Sequence, residues 1–416
     1  VKSTNPQFSY LIKKNPGSGM MLRSIRQGIA YGWYTDENTY NVYFKDADNE
    51  ISYKQHQQET FEYLNVSRYH TPLFPLNAIG EFFSAPLKTQ DERDAEGYEH
   101  TFYIPMIHIE LTRYIDFFAK HLPEFTFTTV HLAHKSYSLT VTTQKSLYQL
   151  LHVVSVLCLF LSMFGNEYID ISEKVLEKYI RSMHVIDAPF YIRSLFVRNF
   201  LSSKERFGRY KAELEKTDRY SIQFAYGGTA LQRRNFIGGV LPFDKSILDV
   251  GCGEGFYALP FAGKIDGTYY AVDVDEEALY KMTRRAESKQ VANIAAFGSI
   301  GHFLAEYSGE RVDVILTEVI EHMSEGEAAE LIRQIGREVD FGHFVITTPN
   351  KDFNRFYGLA GFRHDDHKWE MGREAFRLWL LDAIRDAGLS CEFVDIGDEV
   401  DGIRTTQGAI LKKKEV

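Results

Sequence analysis

SILDVGCGEGFYALPF, residues Ser246–Phe261, decides how the second half of this chain is read. An apolar run, Ser246–Val250, leads into Gly251, Gly253 and Gly255 and then into a helix start. Glycines in that place let the backbone turn sharply and leave its N–H groups open to a ligand. Asp249 precedes the glycines, and Asp273 closes the next apolar run, 18 residues after Gly255. A carboxylate at such a strand end suits the two hydroxyls of a nucleoside ribose. Outward from the loop, strand and helix patterns alternate. Strands are expected at Ser246–Val250, Tyr269–Val272, Asn293–Ala296, Val312–Leu316, His343–Thr347 and Cys391–Ile396, with helices at Glu276–Ala286, Glu325–Glu338 and Arg373–Ala387. That order predicts a mostly parallel sheet with helices on both faces.

The glycine spacing is G-x-G-x-G, not the dinucleotide G-x-G-x-x-G. The pattern D-x-G-C-G-x-G resembles the nucleoside-binding loop of S-adenosylmethionine-dependent methyltransferases of the doubly wound fold. A nicotinamide cofactor, or glycines that only make a turn, remain as alternatives. The expected class is α/β, a C-terminal doubly wound Rossmann-like methyltransferase domain with an N-terminal α+β domain.

A second cluster lies after the fourth expected strand. In VDVILTEVIEHMSEGEAAELI (Val312–Ile332), Glu318, Glu321 and His322 are spaced i, i+3, i+4, which on a helical turn puts all three on one side. Carboxylates and an imidazole converging on an apolar strand end are costly without a counter-charge, and a divalent cation supplies one. Oxygen and nitrogen donors without thiolate suit Mn²⁺ or Mg²⁺ ahead of Zn²⁺, Co²⁺ or Fe²⁺. A later segment, FRHDDHKWEMGREAFRLWL (Phe362–Leu380), follows the fifth strand and carries His364, Asp365, Asp366 and His367, so one of its histidines could close the site. Taken alone, the first segment reads more plainly as a solvated acidic helix face, and a histidine in the second as an ordinary surface residue.

Together, TEVIEHM, TTPNKDFN and FRHDDHKWEMGREAF resemble the HEN family of 3′-terminal RNA ribose 2′-O-methyltransferases, bacterial RNA-repair branch, over residues 228–416. The resemblance implies a metal site of Glu318, Glu321, His322 and His367, with His367 chosen because the family keeps the D-H-(K/R)-(F/W)-E order. It implies cofactor contacts at Asp249, Gly251, Gly253, Gly255 and Asp273, with Ser299 and Ile300 near the adenine. Implied too are S-adenosyl-L-methionine as methyl donor and an RNA 3′ end with a free 2′,3′-diol as substrate. His322 is also a candidate general base. Where the family has Phe-Glu-Trp-Thr-Arg, this chain has Trp369-Glu370-Met371-Gly372-Arg373. A metal-independent methyltransferase of small molecules, or a cofactor-binding scaffold without turnover, are the competing readings.

The first half carries no strong motif. Strand-like stretches are Gly28–Phe44, with a turn at Asp36–Asn38, Thr101–Ile109, Phe125–Leu132 and Tyr137–Thr143. Phe74–Phe83 and the charged Lys88–Gly97 read as loop with short helix. From Gln144 to about Leu201 the period is helical, with breaks at Gly165–Asn166 and Pro189. Within it, LLHVVSVLCLFLSMFG (Leu150–Gly165) is shorter than the roughly 20 residues of a membrane span and is expected to be a buried helix. The domains are therefore set at 1–205, for partner docking or activation, a connector at 206–227, and 228–416. By resemblance the docking partners are an end-healing polynucleotide kinase–phosphatase and an RNA ligase, with no membrane.

The 416 residues exceed one typical domain. Charge divides unevenly: residues 1–216 hold 24 basic and 24 acidic side chains, and residues 217–416 hold 23 and 33, giving the overall −10. An acidic domain binds nucleic acid poorly at long range, so any RNA contact should be local or helped by a cation. Cys158, Cys252 and Cys391 are too few and scattered for a disulfide framework or thiolate metal site, which points to a cytoplasmic protein.

Overall fold

The computed structural model describes residues 1–25, 28–45, 70–165, 167–169 and 171–414. Asn166, half of the break expected at Gly165–Asn166, lies outside them. The chain divides into two compact units, residues 1–193 with 217–219, and residues 194–216 with 220–416.

In the first unit, the strands are β1 (Lys2–Ser3), β2 (Met21–Ile25), β3 (Gly28–Asp36), β4 (Thr39–Lys45), β5 (His100–His108), β6 (Phe125–Ala133) and β7 (Ser136–Thr143). They form one antiparallel sheet of order β2-β3-β4-β1-β5-β7-β6. The helix Leu147–Phe164 is the core of this unit: side chains from Leu150 to Ser162 are buried without interruption. It is long and apolar enough to cross a bilayer, but 78% of that span is buried inside the protein, as the sequence led one to expect. Ser146 and Gln149 close a capping box at its start. Asp94 adds a second cap, accepting from the N–H groups of Leu147 and Tyr148 at 2.8 Å each. That use of Asp94 explains why Lys88–Gly97 forms turns and no short helix. Its carboxylate is committed to another helix's free N–H groups.

The connector expected at 206–227 is structured. Helix Lys204–Glu215 buries Phe207, Tyr210 and Leu214, and Glu215 accepts from the Phe224 N–H at 2.6 Å. A charged stretch poor in aliphatics conceals a face whose burial rests on aromatics.

The second unit contains β8 (Ile222–Gln223), β9 (Ser246–Val250), β10 (Tyr269–Val272), β11 (Ile294–Phe297), β12 (Val312–Thr317), β13 (Phe341–Pro349), β14 (Leu389–Val400) and β15 (Ile403–Lys413). The order is β11-β10-β9-β12-β13-β15-β14-β8. Strands β9 to β13 pair in parallel, and β15 is antiparallel to both β13 and β14. Of the β14–β15 hairpin, only the first strand was expected, at Cys391–Ile396. Its turn is Asp401-Gly402, both residues at positive φ (50° and 77°), and β15 ends in a lysine run that hides its strand character. One face of the sheet packs on Ile332, Ile335, Phe376 and Leu380, the other on Ile237, Phe261 and Met282. Order reverses between β9 and β12, so their C-terminal ends open a crevice, the usual ligand position in such sheets.

Leu380 is fully buried in helix Arg373–Ala383, directly after the His367 loop. Leu380→Ala should lower unfolding free energy by about 2–5 kcal/mol in urea titration.

Candidate active site

The glycine loop follows β9 directly. Gly251, Gly253 and Gly255 all have positive φ, at 78°, 48° and 80°, a region that disfavours other side chains. Two are also crowded. A Cβ on Gly251 would meet Val319 Cγ2 at 2.2 Å, and one on Gly255 would meet Met282 Cγ at 2.5 Å. The loop therefore packs against the turn that carries Glu318 and Glu321. Asp273, at the end of β10, accepts from Gly253 N at 2.7 Å and Asp275 N at 2.9 Å, which holds its carboxylate at the lip of the loop. Ser299 caps helix Ile300–Glu306 through His302 N, and Ile300 packs on the sheet's core. Asp249 sits deeper than the other candidates, 1% exposed, with its Oδ2 accepting from Tyr269 OH at 2.7 Å. Burial, opposed by that hydrogen bond and aided by Asp273, pushes its carboxyl up to about 7.

The E-x-x-E-H cluster is not an α-helical turn. Ser324 and Glu327 form a capping box that starts the helix at Glu325, so the upstream residues stay outside it. Ile320–His322 is a short 3₁₀ turn, and Glu318 stands before it at φ 55°. Non-glycine residues in that region commonly mark functional sites. Glu321, His322 and His367 each place a ligand atom within 4.8 Å of the others. Glu318 does not join them: its carboxylate accepts from Thr347 Oγ1 at 3.1 Å and pairs with Arg233 at 3.2 Å. Those two partners hold the carboxylate in that direction.

His367 comes from the loop after β13, and the loop is tied down. Lys368 N donates to Glu321 O at 2.8 Å, and Trp369 Nε1 donates to Met323 O at 2.9 Å. Trp369 is thus a packing residue behind the histidine, where the family has phenylalanine. His367 Nδ1 lies 2.6 Å from Glu370 Oε1, which leaves Nε2 for the cluster. This is the usual device for orienting a ligating imidazole. Glu370 is itself held by Asn354 Nδ2 (2.6 Å) and Arg363 N (2.7 Å). His322 Nδ1 faces Asp366 at 3.2 Å. His364 stacks edge-on beside His367, with centroids 5.2 Å apart.

Glu321 provides the test of whether a cation fits. It is fully buried, Thr348 Oγ1 donates to Oε2 at 3.1 Å, and Oε1 has no partner among the described residues. Burial, with Glu318 adding repulsion, raises its pKa well above the ordinary carboxylate range. A buried oxygen without a donor, facing two imidazoles, is chemically matched to a divalent ion. Thr347, Thr348, Glu370 and Arg233 escaped the sequence reading. Only the H-x-x-E spacing of His367 and Glu370 could have signalled one of them.

Residues 1–219 match the family model of the Hen1 N-terminal domain, and residues 243–379 match a methyltransferase domain model. A chain in the structure of the Pnkp1/Rnl/Hen1 RNA repair complex is similar throughout, with TM-score 0.82 and 25% identity over 99% of both chains. The small RNA 2′-O-methyltransferase of Gallus gallus is 35% identical over 111 residues, 24% of this chain and 28% of that protein. That of Arabidopsis thaliana is 26% identical over 196 residues, 41% of this chain and 21% of the relative. The matched segments thus span well under two thirds of those curated relatives.

Two outcomes follow from this geometry. A folded-state carboxyl raised to about 7 holds a proton that the unfolded chain has lost above about pH 4, so Asp249 makes stability fall as pH rises through that window. In Asp249→Asn, melting temperatures between pH 5 and 7.5 should lose that downward slope. Glu370→Gln should weaken Mn²⁺ binding roughly 10–100-fold by calorimetry while the melting temperature changes little.

Proposed function

The chain belongs to the Hen1 N-terminal domain family, and on that premise we propose that it transfers a methyl group from S-adenosylmethionine to the 2′-OH of the 3′-terminal ribose of RNA. The observation that carries this reading is the convergence of Glu321, His322 and His367 to within 4.8 Å. Val319, on the same turn, touches the glycine loop. Methyl donor and acceptor sites are then neighbours.

The backbone of Gly251–Gly255 receives the donor's nucleoside, Asp273 takes its ribose hydroxyls, and Ser299 and Ile300 border the base. Glu318, Glu321, His322 and His367 would hold Mn²⁺ or Mg²⁺, which lowers the pKa of a ribose hydroxyl and fixes its position. Glu318 would have to give up Arg233 to join that set. Glu370 and Asp366 orient the two imidazoles. An imidazole engaged as a ligand is a poor base, so the hydroxyl proton leaves to solvent or a carboxylate rather than to His322. Requiring both hydroxyls of one ribose selects a 3′-terminal RNA nucleotide, since DNA and internal nucleotides lack the free diol. The acidic second half, 23 basic against 33 acidic residues, is consistent with a substrate gripped at its end and not along its backbone.

We assign the first unit to docking a polynucleotide kinase–phosphatase and an RNA ligase, in RNA repair. The similarity to a chain of the Pnkp1/Rnl/Hen1 complex covers 99% of this chain, the first unit included. Tyr103, Met106 and Val130 expose apolar surface on its sheet, as interfaces require.

With labelled S-adenosylmethionine and Mn²⁺, a short RNA with a free 3′ diol should accept label, and RNAs with 3′-deoxy or 2′-deoxy ends should not. Chelation should abolish the transfer and added Mn²⁺ restore it. Equal labelling of the 3′-deoxy end would remove the diol from the mechanism.

A further inference from the structure

The first unit holds a cavity of about 250 Å³ that plays no part in methyl transfer. Lys174, Lys178 and Arg181 line it from one helix, Glu173–Val185, and Lys88 lines it from the segment after helix Leu73–Phe82. Spaced i, i+4 and i+7, the three helical cations lie on a single face, where like charges repel. Glu177 is the one carboxylate in the lining, and Glu81 acts on Lys178 from nearby. Among the described residues, no carboxylate lies within 4 Å of any of the four cations, and Lys178 sits over the Tyr179 ring at 5.3 Å. This concentration stands in a half-chain whose formal charge is zero, 24 basic and 24 acidic residues.

The cluster is not merely a solvated helix face. Lys178 is half-buried, and desolvation lowers its pKa against the pull of Glu81. Beside it His152 is 2% exposed, with Nδ1 2.9 Å from Ser182 Oγ. Burial first, then Lys178 and Arg181, push this imidazole down to about 4 against a Leu87 backbone hydrogen bond. The positive potential inside the cavity is therefore felt by its neighbours, and Glu177 and Glu81 offset only part of it. An ammonium sacrificing hydration in such a place is compensated by a bound anion.

We propose that this cavity binds phosphate, taking two adjacent phosphate groups of an RNA backbone or of a free oligophosphate between Lys88 and the Lys174–Arg181 face. Seven residues of helix set Lys174 and Arg181 ~10 Å apart along the axis, which suits more than one phosphate. The volume is below the ~300–1,000 Å³ of pockets that enclose drug-sized ligands, so only the anionic groups enter. The other part of an RNA stays outside. The site is independent of the methyl-transfer reading, and its failure would leave that reading untouched.

Calorimetry of the full chain with sodium pyrophosphate, and anisotropy with a short labelled RNA, test the proposal. Lys174→Gln/Arg181→Gln alters two exposed side chains and should leave the melting temperature unchanged. Weakening of either ligand by tenfold or more in this variant supports the site. If the loss is seen with RNA, together with a salt slope reduced by about one per lost phosphate contact, the source is an RNA backbone. If only pyrophosphate responds, it is a free oligophosphate. Absence of binding by both probes, or equal binding by both proteins, overturns the proposal.

Discussion

The second unit is organised around a buried carboxyl group that its own fold leaves half-satisfied. Glu321 is fully buried where β12 ends, one oxygen held by Thr348 and the other without a donor among the described residues. Nearly every contact around it serves to keep a donor set aimed at that point. Lys368 and Trp369 pin the loop that delivers His367, Glu370 fixes its ring, and Asp366 faces His322. Such a constellation costs stability as long as the carboxylate stands alone. A buried oxygen left without a donor is costly, and a divalent cation is the kind of group that would satisfy it.

The sheet decides where that constellation sits. Parallel pairing of β9 with both β10 and β12 puts three strand ends side by side at the point where order reverses. Gly251 can accept the Val319 methyl only because it has no Cβ, so loop and turn share one packing contact. Rigid elements thus hold the glycine loop and the Glu318–His322 turn together, and neither can shift without disturbing the other.

The two units differ in how they treat charge. The second is acidic and concentrates its polar chemistry at one crevice. The first is closer to balance, with 19 basic and 22 acidic side chains, is built on an apolar helix under an antiparallel sheet, and gathers cations at a separate cavity.

Much of this was legible in the residues. The glycine loop, the parallel strands and the ligand-bearing segments have local signatures, because turn chemistry, apolar runs and donor types act over a few neighbours. Ser246–Val250 and Glu325–Glu338 end where their residues say they should. What sequence alone could not settle depended on partners distant along the chain. The capping box at Ser324 excluded Glu318 from a helix, and Arg233, 85 positions upstream, turned its carboxylate away from the other three ligands. Asp94 gave up a helix of its own to cap one that begins at Leu147. The residues by themselves determined which chemistry is present; only the tertiary structure decided which charges face one another, because burial and long-range pairing set the electrostatics of each donor.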